Sequence, residues 1–184
     1  TRFNRNTLGV YEMGSTFKGF TVAIGLDTGV ATPMSTYDAR QPFRIGYRTI
    51  NDFHATHKVL TLVEVFQHSS NIGTARLAEQ IGPTRMGRYY AALGLTQPAK
   101  VELLESARPL TPRVWDEDAV ASTSFGFGIN VSPLAVTRAY MALANGGKLL
   151  PLTIRKLPPG AKVDGPKVVS PRTTEQLLQI MRAN

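Results

Sequence analysis

The chain has 184 residues, no cysteine and a formal net charge of +8. The missing thiols exclude disulfides, thiol catalysis and cysteine-ligated zinc. With 42% hydrophobic and 18% charged residues the composition is that of a globular domain with a sizeable core, and no apolar run approaches the roughly 18 residues of a transmembrane helix.

Residues 1–14 read as a loop, with Asn4, Asn6 and Gly9 as turn formers. Ser15 opens the run STFKGFTVAIGLDTG, apolar almost all round, which predicts a buried central helix ending near Gly29. Gly19 and Gly25 inside it cost helix stability and point to close packing by neighbours. Residues 30–58 carry Pro33, Pro42 and Gly46, and read as a long excursion with one or two short strands, FRIGYRTI being the best candidate. TLVEVFQHS predicts an amphipathic helix from about Leu60 to Ser69. SNIGTARLAEQIG is a second, with Ile72, Ala75, Leu77 and Ile81 inward and Gly82 as its stop. PTRMGRYYAALGL starts at Pro83 and stops at Gly94. Asp116 to Asp118 reads as a solvated acidic turn, and Trp115, Tyr89 and Tyr90 as packing aromatics. SPLAVTRAYMALANGG and SPRTTEQLLQIMRAN each begin with a Ser cap and a Pro at the first helical position. LPPGAKVDGPK between them is an exposed connection. The expected fold is mainly α, with little sheet, no internal repeat and no domain boundary across 1–184. The opening TRFNRNTLGV lacks a starting Met and is too polar for a signal peptide. We therefore expect a piece of a longer chain. Lys and Arg are scattered rather than massed, so the basic charge reads as a solvated surface and nucleic acid is not an expected partner.

Chemistry concentrates at Ser15 and Lys18. Positions three apart share a helix face. A serine hydroxyl becomes a nucleophile only when something takes its proton. A lysine in a water-poor site can do so as the neutral amine, and a helix N-terminus favours the negative charge of an acyl carbonyl under attack. The spacing alone is weak, since about one S-x-x-K match arises by chance in a chain this long, and an N-cap serine explains Ser15 equally well. HSSNIG adds Ser69, Ser70 and Asn71 at the join of two helices. One hydroxyl and one amide can enter the same cleft there, Ser69 to relay a proton and Asn71 to hold a substrate amide or orient Lys18. The competing reading is again a cluster of helix caps. His54, His57 and His68 suggest a metal only faintly, because no third ligand is fixed by spacing, and neither metal nor cofactor is expected.

Together the two motifs resemble the penicillin-interacting serine acyl transferases, whose signatures are S-x-x-K, S-x-N and K-T-G. EMGSTFK is similar to the E-P-G-S-T-x-K that opens their catalytic helix. LTLVEVFQHSSNIGTARLAEQIG resembles the segment around their second motif, and STSFGFGINVSPLAVTRAYMALANGGKLLP the one that follows. The likeness runs from about Arg5 to the C-terminus and is greatest with the class B penicillin-binding proteins, the division-specific type that cross-links septal peptidoglycan being preferred and the elongation-specific type the alternative. It implies the helical lobe of the penicillin-binding and serine β-lactamase-like transpeptidase fold, with most of the central sheet outside this chain. It implies Ser15 as nucleophile on D-Ala–D-Ala stem peptides, Lys18 as base, and Ser69 and Asn71 on the S-x-N positions. It implies β-lactams as ligands, division-complex membrane proteins as partners, and a periplasmic domain anchored in the inner membrane. Gly126 and Gly128 are expected near the cleft floor, where close backbone approach needs glycine. The third motif is absent, since no lysine of the chain is followed by Thr-Gly or Ser-Gly. By the resemblance, one oxyanion donor lies beyond it. We therefore expect this chain alone to be nearly inactive, with the catalytic helix left apolar and exposed on one face. The alternatives are a β-lactamase or β-lactam sensor, for which Glu102 and Glu105 are the candidate water activators, and a non-catalytic interaction module.

Overall fold

The computed structural model describes residues 3–183. A 3-10 turn, Gly14–Phe17, leads into helix α1, Lys18–Asp27. Every residue from Lys18 to Leu26 is buried. This is the helix that the sequence predicts, except that Ser15 lies on the tighter turn before it. The expected exposed face is not there. Four other helices, given below, pack round α1, and its apolar residues are covered on all sides.

The excursion holds two small antiparallel ladders rather than one. Strand β1, Thr36–Asp38, pairs with β4, Val59–Thr61, and β2, Phe43–Ile45, pairs with β3, Arg48–Ile50. The second ladder is the expected FRIGYRTI hairpin. Its turn is Gly46–Tyr47, with Gly46 at φ 55°, and Phe43 opposite Ile50 faces the core. The first ladder takes Leu60 and Thr61 from the helix expected there, so α2 covers only Leu62–Gln67. Thr61 closes β4 and caps α2 at once, in a reciprocal pair with Glu64.

Helix α3, Asn71–Ile81, is capped by Ser70; α4, Pro83–Ala92, starts on its proline. Helix α5, Glu117–Thr123, stands where the acidic turn was expected. Asp116 caps it, accepting the Ala119 N–H at 2.8 Å. Helices α6, Pro133–Ala144, and α7, Pro171–Arg182, begin with the expected Ser-Pro pairs. Among these, α2, α3, α4 and α7 are the four that enclose α1. Phe17 meets Phe20 and Tyr90 edge-on, and Tyr90 meets Trp115 in the same way, so these aromatics are core as expected.

The far end of α1 is tied down by charge. Asp27 accepts from the Tyr89 phenol at 2.6 Å, from the Ser170 N–H at 2.7 Å and from the Thr173 hydroxyl at 2.7 Å. One carboxylate thus joins α1 to α4 and to the N-terminus of α7. Among the described residues no helix is long and apolar enough to cross a membrane.

Candidate active site

Ser15 sits exposed on the 3-10 turn, while Lys18, three residues on, opens α1 with 2% of its surface exposed. A 3-10 turn has three residues per turn, so positions i and i+3 eclipse. The two side chains therefore leave the backbone on one side, as the sequence predicts.

They meet through a third residue. Ser69 lies between α2 and α3 at φ 51°, a conformation few non-glycine residues adopt. Its hydroxyl donates to Ser15 Oγ at 3.1 Å. The Lys18 ammonium donates to Ser69 Oγ at 2.8 Å and also to the Ser69 carbonyl. Burial pushes the Lys18 pKa down from 10.5 to about 8, against the attraction of the Asp52 carboxylate. Neutral Lys18 can draw a proton from Ser15 across Ser69, which is what a hydroxyl needs before it attacks an acyl carbon.

Asn71 opens α3, two residues after Ser69. Its side-chain amide donates to the Asn51 carbonyl at 3.0 Å, leaving its oxygen and second N–H to serve another group. The neighbouring Asp52 grips the turn as well, accepting from the Ser70 hydroxyl at 2.8 Å and from the Ile72 N–H at 2.9 Å. Ser70 Oγ accepts in turn from the Gly73 N–H at 2.9 Å. The Asn51–Asp52 pair is therefore the brace of the Ser69–Asn71 turn, a role that nothing in the local sequence signals.

Gly126 packs on the turn that carries Ser15, as expected. It accepts from the Gly14 N–H at 3.3 Å, and a Cβ there would collide with the Gly14 carbonyl. Gly128 differs. Its φ of 72° favours glycine, but a Cβ would meet nothing nearer than Ser122 at 3.7 Å, and its N–H donates to Glu12 at 2.8 Å.

The other candidates stand apart from this relay. Glu102 is engaged by the Thr153 hydroxyl and the Ile154 N–H, and Glu105 is exposed. His54 stacks edge-on against Phe53, His57 Nδ1 lies 3.1 Å from the Arg40 carbonyl, and His68 ends α2 in solvent. Among the described residues no three His, Cys, Asp or Glu side chains gather to hold a metal ion.

Comparison with known proteins places the chain in a family. The family model of the penicillin binding protein transpeptidase domain matches residues 2–184. The chain is 67% identical over 183 residues to the "Probable peptidoglycan D,D-transpeptidase FtsI" of Caulobacter vibrioides, covering 100% of this chain and 31% of that protein. It is 31% identical to the peptidoglycan D,D-transpeptidase FtsI of Escherichia coli K12, over 98% of this chain and 30% of the relative. Among solved structures, the TP domain of Burkholderia pseudomallei penicillin-binding protein 3 superposes with a TM-score of 0.91 at 33% identity, over 98% of this chain and 55% of that one. A peptidoglycan glycosyltransferase from Burkholderia ambifaria gives the same TM-score and identity, over 98% of this chain and 58% of its own. The chain spans less than a third of the Caulobacter and Escherichia relatives. The chain belongs to the penicillin-binding protein transpeptidase domain family.

Proposed function

We propose that residues 1–184 are part of the transpeptidase domain of a serine D,D-transpeptidase, and that they carry its S-x-x-K and S-x-N motifs. Ser15 Oγ attacks the carbonyl between the two D-alanines of a stem peptide. Its proton passes across Ser69 to neutral Lys18. The same proton returns to the leaving amine, D-alanine departs, and the stem peptide remains as an ester on Ser15. An amine from a neighbouring stem peptide then attacks the ester. Its proton takes the reverse route and restores the Ser15 hydroxyl, and a new peptide cross-link is released. Asn71 orients the substrate amide. A β-lactam enters the first step and stays as the acyl group.

The observation that carries this reading is the continuous contact Ser15–Ser69–Lys18, with a buried amine at its end. The family and the names of the relatives support division-linked cell-wall synthesis, in a periplasmic domain held at the inner membrane by another part of the protein. Contact with membrane proteins of the division complex is part of the same proposal and rests on the sequence resemblance to the division-specific type.

The test is intact-mass spectrometry of the full-length natural protein carrying this chain, after incubation with a penicillin. One adduct is expected, absent from Ser15→Ala. No adduct on either protein returns Ser15 to the rank of a helix-turn serine and favours the interaction-module reading. Rapid turnover of a chromogenic cephalosporin by the same protein would instead identify a β-lactamase.

A further inference from the structure

The carbonyl that follows Ser15 is bound by a phenol from a distant helix. The last 3-10 bond runs from the Lys18 N–H to the Ser15 carbonyl. The α-helical ladder begins with the carbonyl of Phe17, the N-cap of α1. The Thr16 carbonyl lies at the join of the two patterns. Tyr140, on α6, donates its hydroxyl to that carbonyl at 2.5 Å. Its ring lies 4.6 Å from that of Phe20, centre to centre. Burial raises the phenol pKa to about 12, which favours its protonated, donating form. Gly19 explains how the phenol gets so close, since a Cβ there would collide with the Tyr140 oxygen.

We propose that Tyr140 is a positioning residue for Ser15, with Gly19 as the opening that admits it. By holding the Thr16 carbonyl, the phenol fixes the point where the chain passes from 3-10 to α-helical geometry. That point sets the direction in which Ser15 leaves the backbone. Without the bond the turn can relax into an α-helix or fray, and the Ser15 hydroxyl moves off Ser69. The proposal rests on Ser15 being the nucleophile.

The test measures penicillin acylation in the full-length natural protein and its Tyr140→Phe, Gly19→Ala and doubly substituted forms. Rapid-quench kinetics separate the non-covalent dissociation constant, the acylation rate and the fraction of protein acylated. In Tyr140→Phe the acylation rate should fall about tenfold, since small displacements of a reacting atom are costly. The dissociation constant and the acylated fraction should stay as in the parent. Gly19→Ala should fall at least as far. The double form should be no slower than the slower single form, because the phenyl ring leaves its nearest carbon 3.1 Å from the new methyl. A wild-type rate in Tyr140→Phe overturns the proposal. So does a wild-type rate at a reduced acylated fraction, which is what a merely structural role gives. If the parent itself takes no label, the nucleophile reading falls, and Tyr140 with it; if the parent labels and Tyr140→Phe labels equally fast, the positioning role falls alone.

Discussion

At Lys18 two forces oppose each other. Burial disfavours the ammonium, while Asp52 and the Ser69 oxygens favour it. The balance leaves a pKa of about 8 in place of 10.5. At neutral pH most molecules then carry a charged Lys18 and about a tenth hold the neutral base. Acylation should therefore rise with pH through about 8 and level off above it. Folding follows the same residue. Between about 8 and 10.5 the unfolded chain holds the proton that the folded chain has lost. The contribution of Lys18 to stability is thus full above 10.5 and lost as pH falls through about 8. Lys18→Met should remove the rise in acylation through pH 8 and at least about 100-fold of the rate. It should also flatten that part of the curve of melting temperature against pH. An unchanged pH profile would mean that another group is the base.

Among the elements, the Asp27 clasp decides whether α7 stays on α1. Burial raises the Asp27 pKa, but the hydrogen bonds from Tyr89, Ser170 and Thr173 outweigh it and hold the carboxyl below its usual value. A carboxyl lowered in the fold contributes stability that is present above its unfolded pKa of 3.8 and is lost as pH falls through the folded value. Asp27→Ala should cost about 2 kcal/mol, the worth of hydrogen bonds to a charged group less the usual relaxation. Thermal unfolding across pH 2–7 checks both points. Equal melting curves for Asp27→Ala and the parent at pH 7 would show the clasp to be idle. Much of this scaffold is legible in the sequence because its signals are local. Ser132-Pro133 and Ser170-Pro171 start helices, Gly82 ends one and Gly46 turns a hairpin, each within a few residues. The β1–β4 ladder escapes, since each strand has three residues and its partner lies beyond an intervening hairpin. Helix α5 escapes because it has only seven residues and opens with acidic groups that equally suit a turn. At the site, S-x-x-K and S-x-N carry their own spacing. Asp52 and Tyr140 act from other elements and leave no local mark.

For the molecule as a whole, folding and reactivity should separate. The core is one connected cluster that runs from Phe17 to Ile180 and encloses α1. A chain of 184 residues is long enough to stabilise such a core by itself. The isolated chain should therefore melt in one cooperative transition. The contacts on which the proposed relay rests, Ser15–Ser69 and Ser69–Lys18, also lie wholly within it. On the proposed function, the first step also needs donors to the oxyanion. No lysine of the sequence is followed by Thr-Gly or Ser-Gly, and the likeness to the family puts one of the two oxyanion donors on the strand after that motif. Loss of one such donor costs on the order of 100- to 1,000-fold in rate. Penicillin should thus acylate Ser15 of the isolated chain at least about 100-fold more slowly than Ser15 of the full-length natural protein. Equal acylation rates, followed by intact mass over time, would mean that the helical lobe supplies everything the first step needs. A folded chain with slow acylation places the relay and the oxyanion site in separate parts of the protein.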